Sequence, residues 1–246
     1  MQHKKPWKQD RAQKLRSLWQ WTALPLAGCA VVMAFVAVMQ ISLNGYNAVN
    51  TVPQTGYILL DPGHGGEDGG ASAADGTLEK DINLAVALPL ADMLRVCGVP
   101  VRLTRDTDIS IYDASASTVR EKKVSDMHNR LALYNNAKIA IGIHTNKFPQ
   151  TQYFGTQLFY SANTPESEGI ASSIRQNVVQ MLQPENKREM KKADSTIYLL
   201  HNAQVPAVFV ECGFLSNEAE LAKLKSPAYQ QQMAFAVWSG LMQYGI

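Results

Sequence analysis

Residues 58–70 read ILLDPGHGGEDGG, an apolar run that stops at Asp61 and Pro62 and continues as a glycine-rich loop around His64. The apolar run predicts a strand buried in a parallel sheet. Pro62 has no amide hydrogen for the ladder, so we expect the strand to end there. Open α/β sheets bind ligands at the carboxyl ends of their strands. His64 is therefore a candidate ligand-binding residue, and the glycines would let a metal or substrate approach closely.

Strand-like and helix-like segments alternate after this stretch. Apolar runs predict strands at 57–61, 99–104, 139–143, 156–160 and 206–210. Helical spacing of apolar residues predicts helices that begin near 77, at 122–136 and at 167–182, with two more closing the chain. This alternation predicts one α/β domain, in which helices flank a single, mostly parallel, twisted sheet.

The N-terminal region carries most of the positive charge. Residues 1–23 contain six basic residues and one acidic residue, and residues 24–43 form an uncharged, largely apolar stretch long enough to cross a bilayer. Basic residues before the stretch place the N-terminus in the cytoplasm and the rest outside. We therefore expect a basic cytoplasmic segment (1–23), a transmembrane anchor or signal segment (24–43), a polar linker (44–56) and a catalytic domain (57–246), which makes a single-pass protein of the cell membrane.

Two alternatives to an uncleaved anchor remain open. A cleaved signal peptide would make the protein secreted, but the basic region is long and no clean Ala-x-Ala site follows the apolar stretch. A lipoprotein signal is the second alternative, because residues 26–29 read Leu-Ala-Gly-Cys. About a dozen apolar residues follow Cys29, however, whereas a lipoprotein signal should end its apolar region at the cysteine.

The composition of the remainder excludes some classes of protein. It has 17 basic and 20 acidic residues, so it is mildly acidic and offers no basic stripe for nucleic acid. The three cysteines, Cys29, Cys97 and Cys212, show no Cys-x-x-Cys spacing and indicate neither a thiolate zinc site nor a disulfide framework. We expect Cys97 and Cys212 to be small buried side chains.

Three predicted strands end at His64, His144 and Glu211, and Glu79 opens the first helix after the glycine loop. Parallel strand ends and helix starts share one edge of a sheet, so these four side chains can converge. Two histidines and a carboxylate with an open fourth position are a catalytic zinc site, and a second carboxylate can transfer protons.

Each member of this set has a simpler interpretation on its own. His64 or His144 alone could be a hydrogen-bonded structural histidine, and Glu79 alone could stabilise a helix dipole in solvent. Glu211 is harder to explain in that way, because a carboxylate after a buried strand needs a partner or a function. We expect His128 to be exposed on a helix and His201 to lie in a turn.

Several motifs together resemble the zinc-dependent N-acetylmuramoyl-L-alanine amidases of the amidase 3 family. They are DPGHGG at 61–66, EKDINL at 79–84, LTR at 103–105, IHTN at 143–146 and VECGFLSN at 210–217. The resemblance implies that His64, Glu79 and His144 bind Zn²⁺ and that Glu211 is the catalytic acid/base. The departures are Gly142, Thr145 and Cys212, which stand where the family commonly has serine, alanine, and threonine or valine. None of them removes a functional group.

The single anchor and the run Ile-Tyr-Leu-Leu at 197–200 look most like the germination-specific spore-cortex amidases of the CwlD type. That narrower resemblance implies that the enzyme strips stem peptides from muramic acid, so that muramic-δ-lactam can form in the cortex. It also implies that a partner lipoprotein is involved in some relatives.

We therefore expect a zinc hydrolase that cuts the amide between N-acetylmuramic acid and L-alanine of peptidoglycan. The rival hypotheses are a non-catalytic peptidoglycan-binding scaffold and a zinc peptidase that acts on the stem peptide. Polar segments 107–123 and 146–152 are expected to hold glycan or peptide, because both lie near the predicted sheet edge.

Overall fold

A computed structural model describes residues 56–246, which belong to one compact unit. The predictions for the basic segment, the membrane segment and nearly all of the linker concern residues 1–55, which lie outside the described residues. No helix within 56–246 is long and apolar enough to cross a membrane.

The described residues form six strands and six helices. The strands are β1 (Ile58–Pro62), β2 (Val101–Leu103), β3 (Ile139–Asn146), β4 (Gln157–Tyr160), β5 (Lys191–Lys192) and β6 (Ala207–Phe214). The helices are α1 (Glu79–Val96), α2 (Val119–Asn135), α3 (Glu166–Met181), α4 (Tyr198–Asn202), α5 (Glu218–Leu224) and α6 (Pro227–Tyr244).

The strands form one sheet in the order β2-β1-β3-β6-β4-β5. Strands β2, β1, β3 and β6 are parallel to one another, whereas β4 runs antiparallel to β6 and pairs in parallel with β5. The α/β class and the mostly parallel sheet are therefore confirmed. The short strand β5 was not predicted, because two lysines carry no apolar pattern.

The sheet has a core on each face, and the alternation of side chains along each strand decides which residue faces which core. The larger core packs odd-numbered β3 residues and even-numbered β6 residues, including Cys212, against α1, α3 and α6. The smaller core packs Phe209 and its neighbours against α2 and α4. Cys212 is buried, as predicted, and points away from the face of Glu211, but the prediction of a buried Cys97 is wrong. Cys97 is exposed because it caps α1 beyond the last buried turn.

Helix α2 and strands β3 and β6 are among the elements whose bounds differ from the sequence prediction. Helix α2 begins three residues early, because Thr118 and Glu121 form a capping box in which each side chain accepts the other's backbone N–H. Strands β3 and β6 continue past His144 and Glu211, so these residues lie within strands rather than after them. His201 lies in the short helix α4 rather than in a turn, and His128 is exposed on α2 as expected.

Candidate metal centre

Two buried arginines hold the backbone of the glycine loop that carries His64. Arg105 donates from Nε to the Pro62 carbonyl at 3.0 Å and from Nη2 to the Gly63 carbonyl at 3.1 Å. Arg130 donates from Nη2 to the His64 carbonyl at 2.7 Å. His64 has a φ of 63°, which costs energy for a residue with a side chain. The charge-assisted bonds to the loop carbonyls stabilise this conformation and fix the position of the imidazole.

Asp61 anchors one of these arginines. Its carboxylate is fully buried, forms an ion pair with Arg130, and accepts hydrogen bonds from Thr104 Oγ1 at 2.6 Å and from the Tyr134 hydroxyl at 3.0 Å. Burial by itself would raise the pKa of Asp61, but Arg130 and the two hydroxyl groups hold it below its usual value. Asp61 therefore stays ionised at the end of β1 and orients Arg130 toward the loop.

Three side chains meet beside this loop. The Oε1 atom of Glu79 lies 3.4 Å from Nε2 of His64 and 3.1 Å from Nδ1 of His144. One ligand atom from each residue falls within 4.8 Å of the others. Tetrahedral zinc with bonds of about 2.0–2.1 Å separates its ligand atoms by about 3.3 Å, so the two distances from Glu79 Oε1 to the histidine nitrogens match those between zinc ligands. Two imidazoles and one carboxylate also leave a fourth position open.

Residues around the cluster hold the His64 and Glu79 side chains in place. His64 Nδ1 lies 2.9 Å from Asp68 Oδ2, an arrangement that directs the other ring nitrogen, Nε2, toward Glu79. The second oxygen of Glu79 accepts the Ala71 amide at 2.9 Å. Gly70 has a φ of +68°, and a Cβ there would lie 2.6 Å from His64 Cδ2 and 2.7 Å from Glu79 Oε2. Only glycine therefore lets the loop close over the two side chains.

The electrostatics of the cluster favour a cation. Burial lowers the pKa of His64, but hydrogen bonds and charges from Asp68 and Glu79 outweigh it and raise that pKa to about 9. Burial would raise the pKa of Glu79, and the two histidines reverse this and hold it far below its usual value. Without a metal the cluster thus retains a proton near neutral pH, and a metal ion would displace that proton.

Glu211 lies beside the cluster in a different environment. It pairs in register with His144 on the neighbouring strand, so the two side chains share one face of the sheet. Its Oε2 atom is buried and has no hydrogen-bond partner within residues 56–246. Burial raises the pKa of Glu211 to about 7, with a further rise from Glu79 and partial compensation by His144 and His64. A carboxyl group with that pKa can both accept and donate a proton at neutral pH.

A cavity of about 280 Å³ opens beside the cluster. His64, His144 and Glu211 form one side of it, and Met127, residues 196–199 and Phe209 contribute largely apolar surface. The run at 197–200 therefore borders the site through the start of α4.

A second cavity of about 160 Å³ adjoins the first, and the two share Asp68, Lys123 and Asp126. Segment 107–123 contributes to its lining with Ser110, Tyr112, Val119, Lys122 and Lys123. Residues 146–151 line neither of these cavities, and Gln152 borders a different one.

The structure brings the four predicted site residues, His64, Glu79, His144 and Glu211, to one place. The sequence predicted that the loop glycines, which include Gly70, allow close approach, but it assigned no role to the side chains that support the site, which are Asp68, Arg105, Arg130 and Phe209. A signal existed for Asp68, because an acidic residue that follows a candidate ligand by four positions in a glycine loop can fold back to it.

The family model described as N-acetylmuramoyl-L-alanine amidase (Amidase_3) matches residues 58–243. The chain belongs to this family. The match covers all of the elements that carry the site, and it makes the protein a peptidoglycan hydrolase of the N-acetylmuramoyl-L-alanine amidase class.

Relatives of this amidase agree with the assignment. The germination-specific N-acetylmuramoyl-L-alanine amidase of Bacillus subtilis is 33% identical over 94% of this chain and 96% of the relative. The amidase AmiA of Escherichia coli is 26% identical over 90% of this chain and 88% of the relative. Among solved structures, the CwlD amidase of Clostridioides difficile in complex with the GerS lipoprotein is 39% identical and superposes with a TM-score of 0.74. That superposition covers 77% of this chain and 98% of the CwlD chain.

Proposed function

We propose that this amidase is a zinc enzyme in which His64, Glu79 and His144 hold the metal and Glu211 transfers protons. The observation that carries the proposal is the position of Glu79 Oε1, which lies 3.1 and 3.4 Å from one nitrogen of each histidine. A hydrolase needs a nucleophile and a proton carrier in the same cavity, and Glu211, whose Oε2 atom is buried, lines the cavity beside this cluster.

The reaction breaks the amide between the lactyl group of N-acetylmuramic acid and L-alanine. Zinc, when bound, would lower the pKa of a coordinated water and polarise the lactyl carbonyl. Glu211 Oε2 makes no hydrogen bond with residues 56–246, so it is available to accept a proton from the attacking water. Glu211 then donates a proton to the departing amine nitrogen of L-alanine. Its pKa near 7 suits both transfers.

The adjoining cavity is our proposed site for the peptide side of the substrate. Lys122 pairs with Glu67 at 2.8 Å, whereas the side chain of Lys123 is 65% exposed and lies 3.9 Å from its nearest acidic partner, Asp68. Lys123 also borders both cavities. Its ammonium group can therefore bind a carboxylate of the stem peptide where the bound peptide extends from the metal site into the adjoining cavity.

The biological setting we propose is maturation of the spore cortex. It is supported by the germination-specific Bacillus subtilis relative, which matches nearly the whole of both chains, and by the CwlD structure. Removal of stem peptides would permit formation of muramic-δ-lactam. The CwlD structure contains a lipoprotein, and we propose that a lipoprotein partner also binds this amidase. Spores of a strain that lacks the gene should contain no muramic-δ-lactam, and a normal lactam content would refute this role.

The proposed location is the outer face of the cell membrane, with residues 24–43 as the anchor and residues 44–56 as the linker. The uncharged stretch and the basic residues before it support this arrangement. Protease added to intact spheroplasts should remove the amidase domain, and full protection would contradict the orientation.

One set of variants tests the metal ligands and the proton carrier independently. We expect wild type and Glu211→Gln to bind one zinc per chain, His144→Ala to bind less than a tenth of that, and only wild type to release peptides from peptidoglycan. Zinc is measured by elemental analysis after removal of free metal. Full zinc occupancy in His144→Ala would refute the ligand assignment, and an active Glu211→Gln variant would refute the role of Glu211.

A further inference from the structure

The two histidines of the metal centre are oriented by different means. His64 uses its second ring nitrogen, Nδ1, to contact Asp68 at 2.9 Å. The second ring nitrogen of His144, Nε2, is buried and has no hydrogen-bond partner within residues 56–246. Metal-binding histidines usually gain their orientation from a hydrogen bond at this second nitrogen. The ring of His144 must therefore be held by something else.

Phe209 contacts the face of that ring. The two ring centroids are 4.6 Å apart and the ring planes differ by 23°, which is a stacked arrangement. Phe209 lies on β6 two residues before Glu211, on the same face of the sheet, and only 7% of it is exposed. Gly63 contacts the imidazole as well, because a Cβ at that position would collide with His144 Cε1. The loop backbone and Phe209 together confine the imidazole.

Gly142 provides the space for the Phe209 ring. The two residues pair in register between β3 and β6. A Cβ at Gly142 would lie 2.5 and 2.6 Å from Cδ1 and Cε1 of Phe209, and 3.0 Å from the Tyr134 hydroxyl. The φ of Gly142 is not positive, so glycine is required for space rather than for backbone conformation. The glycine and the aromatic ring are thus one packing unit that ends against His144.

We propose that Phe209 is a positioning residue for the metal centre. Its ring, seated on Gly142, holds the His144 imidazole so that Nδ1 faces Glu79, and it replaces the hydrogen bond that Nε2 lacks. Aromatic stacking restricts the tilt of the imidazole without adding a charge near the metal. The proposal rests on the proposed function, because it assumes that His144 binds zinc.

The test is the zinc dissociation constant of the full chain, purified in detergent, stripped with a chelator and titrated against a chromophoric competitor. We expect Phe209→Leu and Phe209→Met to weaken zinc binding about tenfold, the lower end of the effect of losing an outer-shell partner. We expect Gly142→Ala to weaken it as well, because the added methyl group displaces the ring. Phe159→Leu is the matched control, since Phe159 packs against the same core and pairs with Phe209 across β4 and β6.

The control should lose stability to urea but keep wild-type zinc affinity. Zinc bound equally by wild type and by a folded variant without the Phe209 ring would refute the positioning role. An equal loss of affinity in Phe159→Leu would also refute it, because the effect would then follow general packing. A wild-type chain that binds no zinc would refute the proposed metal site itself, so the two failures are distinguishable.

Discussion

Replacing Glu211 with glutamine should abolish activity and, in the metal-free protein above neutral pH, increase stability. The carboxyl group is buried beside Glu79, and burial raises its pKa from 4.5 to about 7. In the unfolded chain the pKa returns to its usual value. Between those two pKa values the folded state binds more protons than the unfolded state. The contribution of Glu211 to the stability of the metal-free protein must therefore fall as pH rises from about 4.5 to about 7, and it stays lowered above that range.

The size of this effect follows from the pKa change. A rise in the pKa from 4.5 to about 7 means that ionised Glu211 lowers the free energy of unfolding by roughly 3 kcal/mol. Glutamine has nearly the same shape and no charge, so Glu211→Gln removes this pH-dependent cost. The free energy of unfolding of the metal-free variant should therefore exceed that of wild type by an amount that grows from pH 4 to pH 8 and reaches about 3 kcal/mol.

The assay is urea unfolding of residues 56–246, treated with a chelator, at pH 4, 6 and 8. These residues lie within one compact unit. Comparing variants at each pH cancels the titration of the groups that do not interact with Glu211, which leaves Glu211 and its neighbours Glu79, His64 and His144. Glu218→Gln is the control, because it makes the same chemical change at an exposed position in the first turn of α5. Parallel pH profiles for wild type and Glu211→Gln would refute the buried, unpartnered state of this carboxyl group.

Four further predictions follow from the site. Arg130→Met leaves Asp61 buried and unpaired, so urea unfolding should show a loss of about 3–5 kcal/mol, and a loss below about 1 kcal/mol would contradict the anchor role. Gly70→Ala places a methyl group against the ligands and should remove zinc from the purified chain; full occupancy would contradict it. Zinc binding at pH 7 should release a proton from His64, seen by calorimetry in buffers of different ionisation enthalpy, and zero release would disprove the raised pKa. Lys123→Ala should raise KM more than it lowers kcat, and the reverse would exclude a binding role.

The candidate site was predictable because local sequence marks its strands. The apolar run before Pro62, and the polar residues His144 and Glu211 after apolar runs, indicate where parallel strands reach a functional edge. The same signal misplaced the ends of β3 and β6. Backbone pairing continues to Asn146 and Phe214, because the ladder between the two strands does not depend on apolar side chains.

The supporting arginines and Phe209 were not predictable, because their contacts join distant parts of the chain. Arg105 and Arg130 contact carbonyls that lie 42 to 68 residues earlier, and no periodic pattern reports such a contact. The packing of Phe209 on Gly142 also spans two strands that come together only in the folded sheet. Sequence position alone presented Gly142 as a minor departure from the family, whereas the structure explains it by the volume of an aromatic ring.

The most direct test of the account is mass spectrometry of the products that the wild-type chain and Glu211→Gln release from peptidoglycan in the presence of zinc. We expect intact stem peptides with a free L-alanine amine, and glycan with a free lactyl carboxylate, from wild type alone. Shortened stem peptides would identify a peptidase instead. Equal product release from Glu211→Gln would contradict the proton-transfer role of Glu211 on which the mechanism depends.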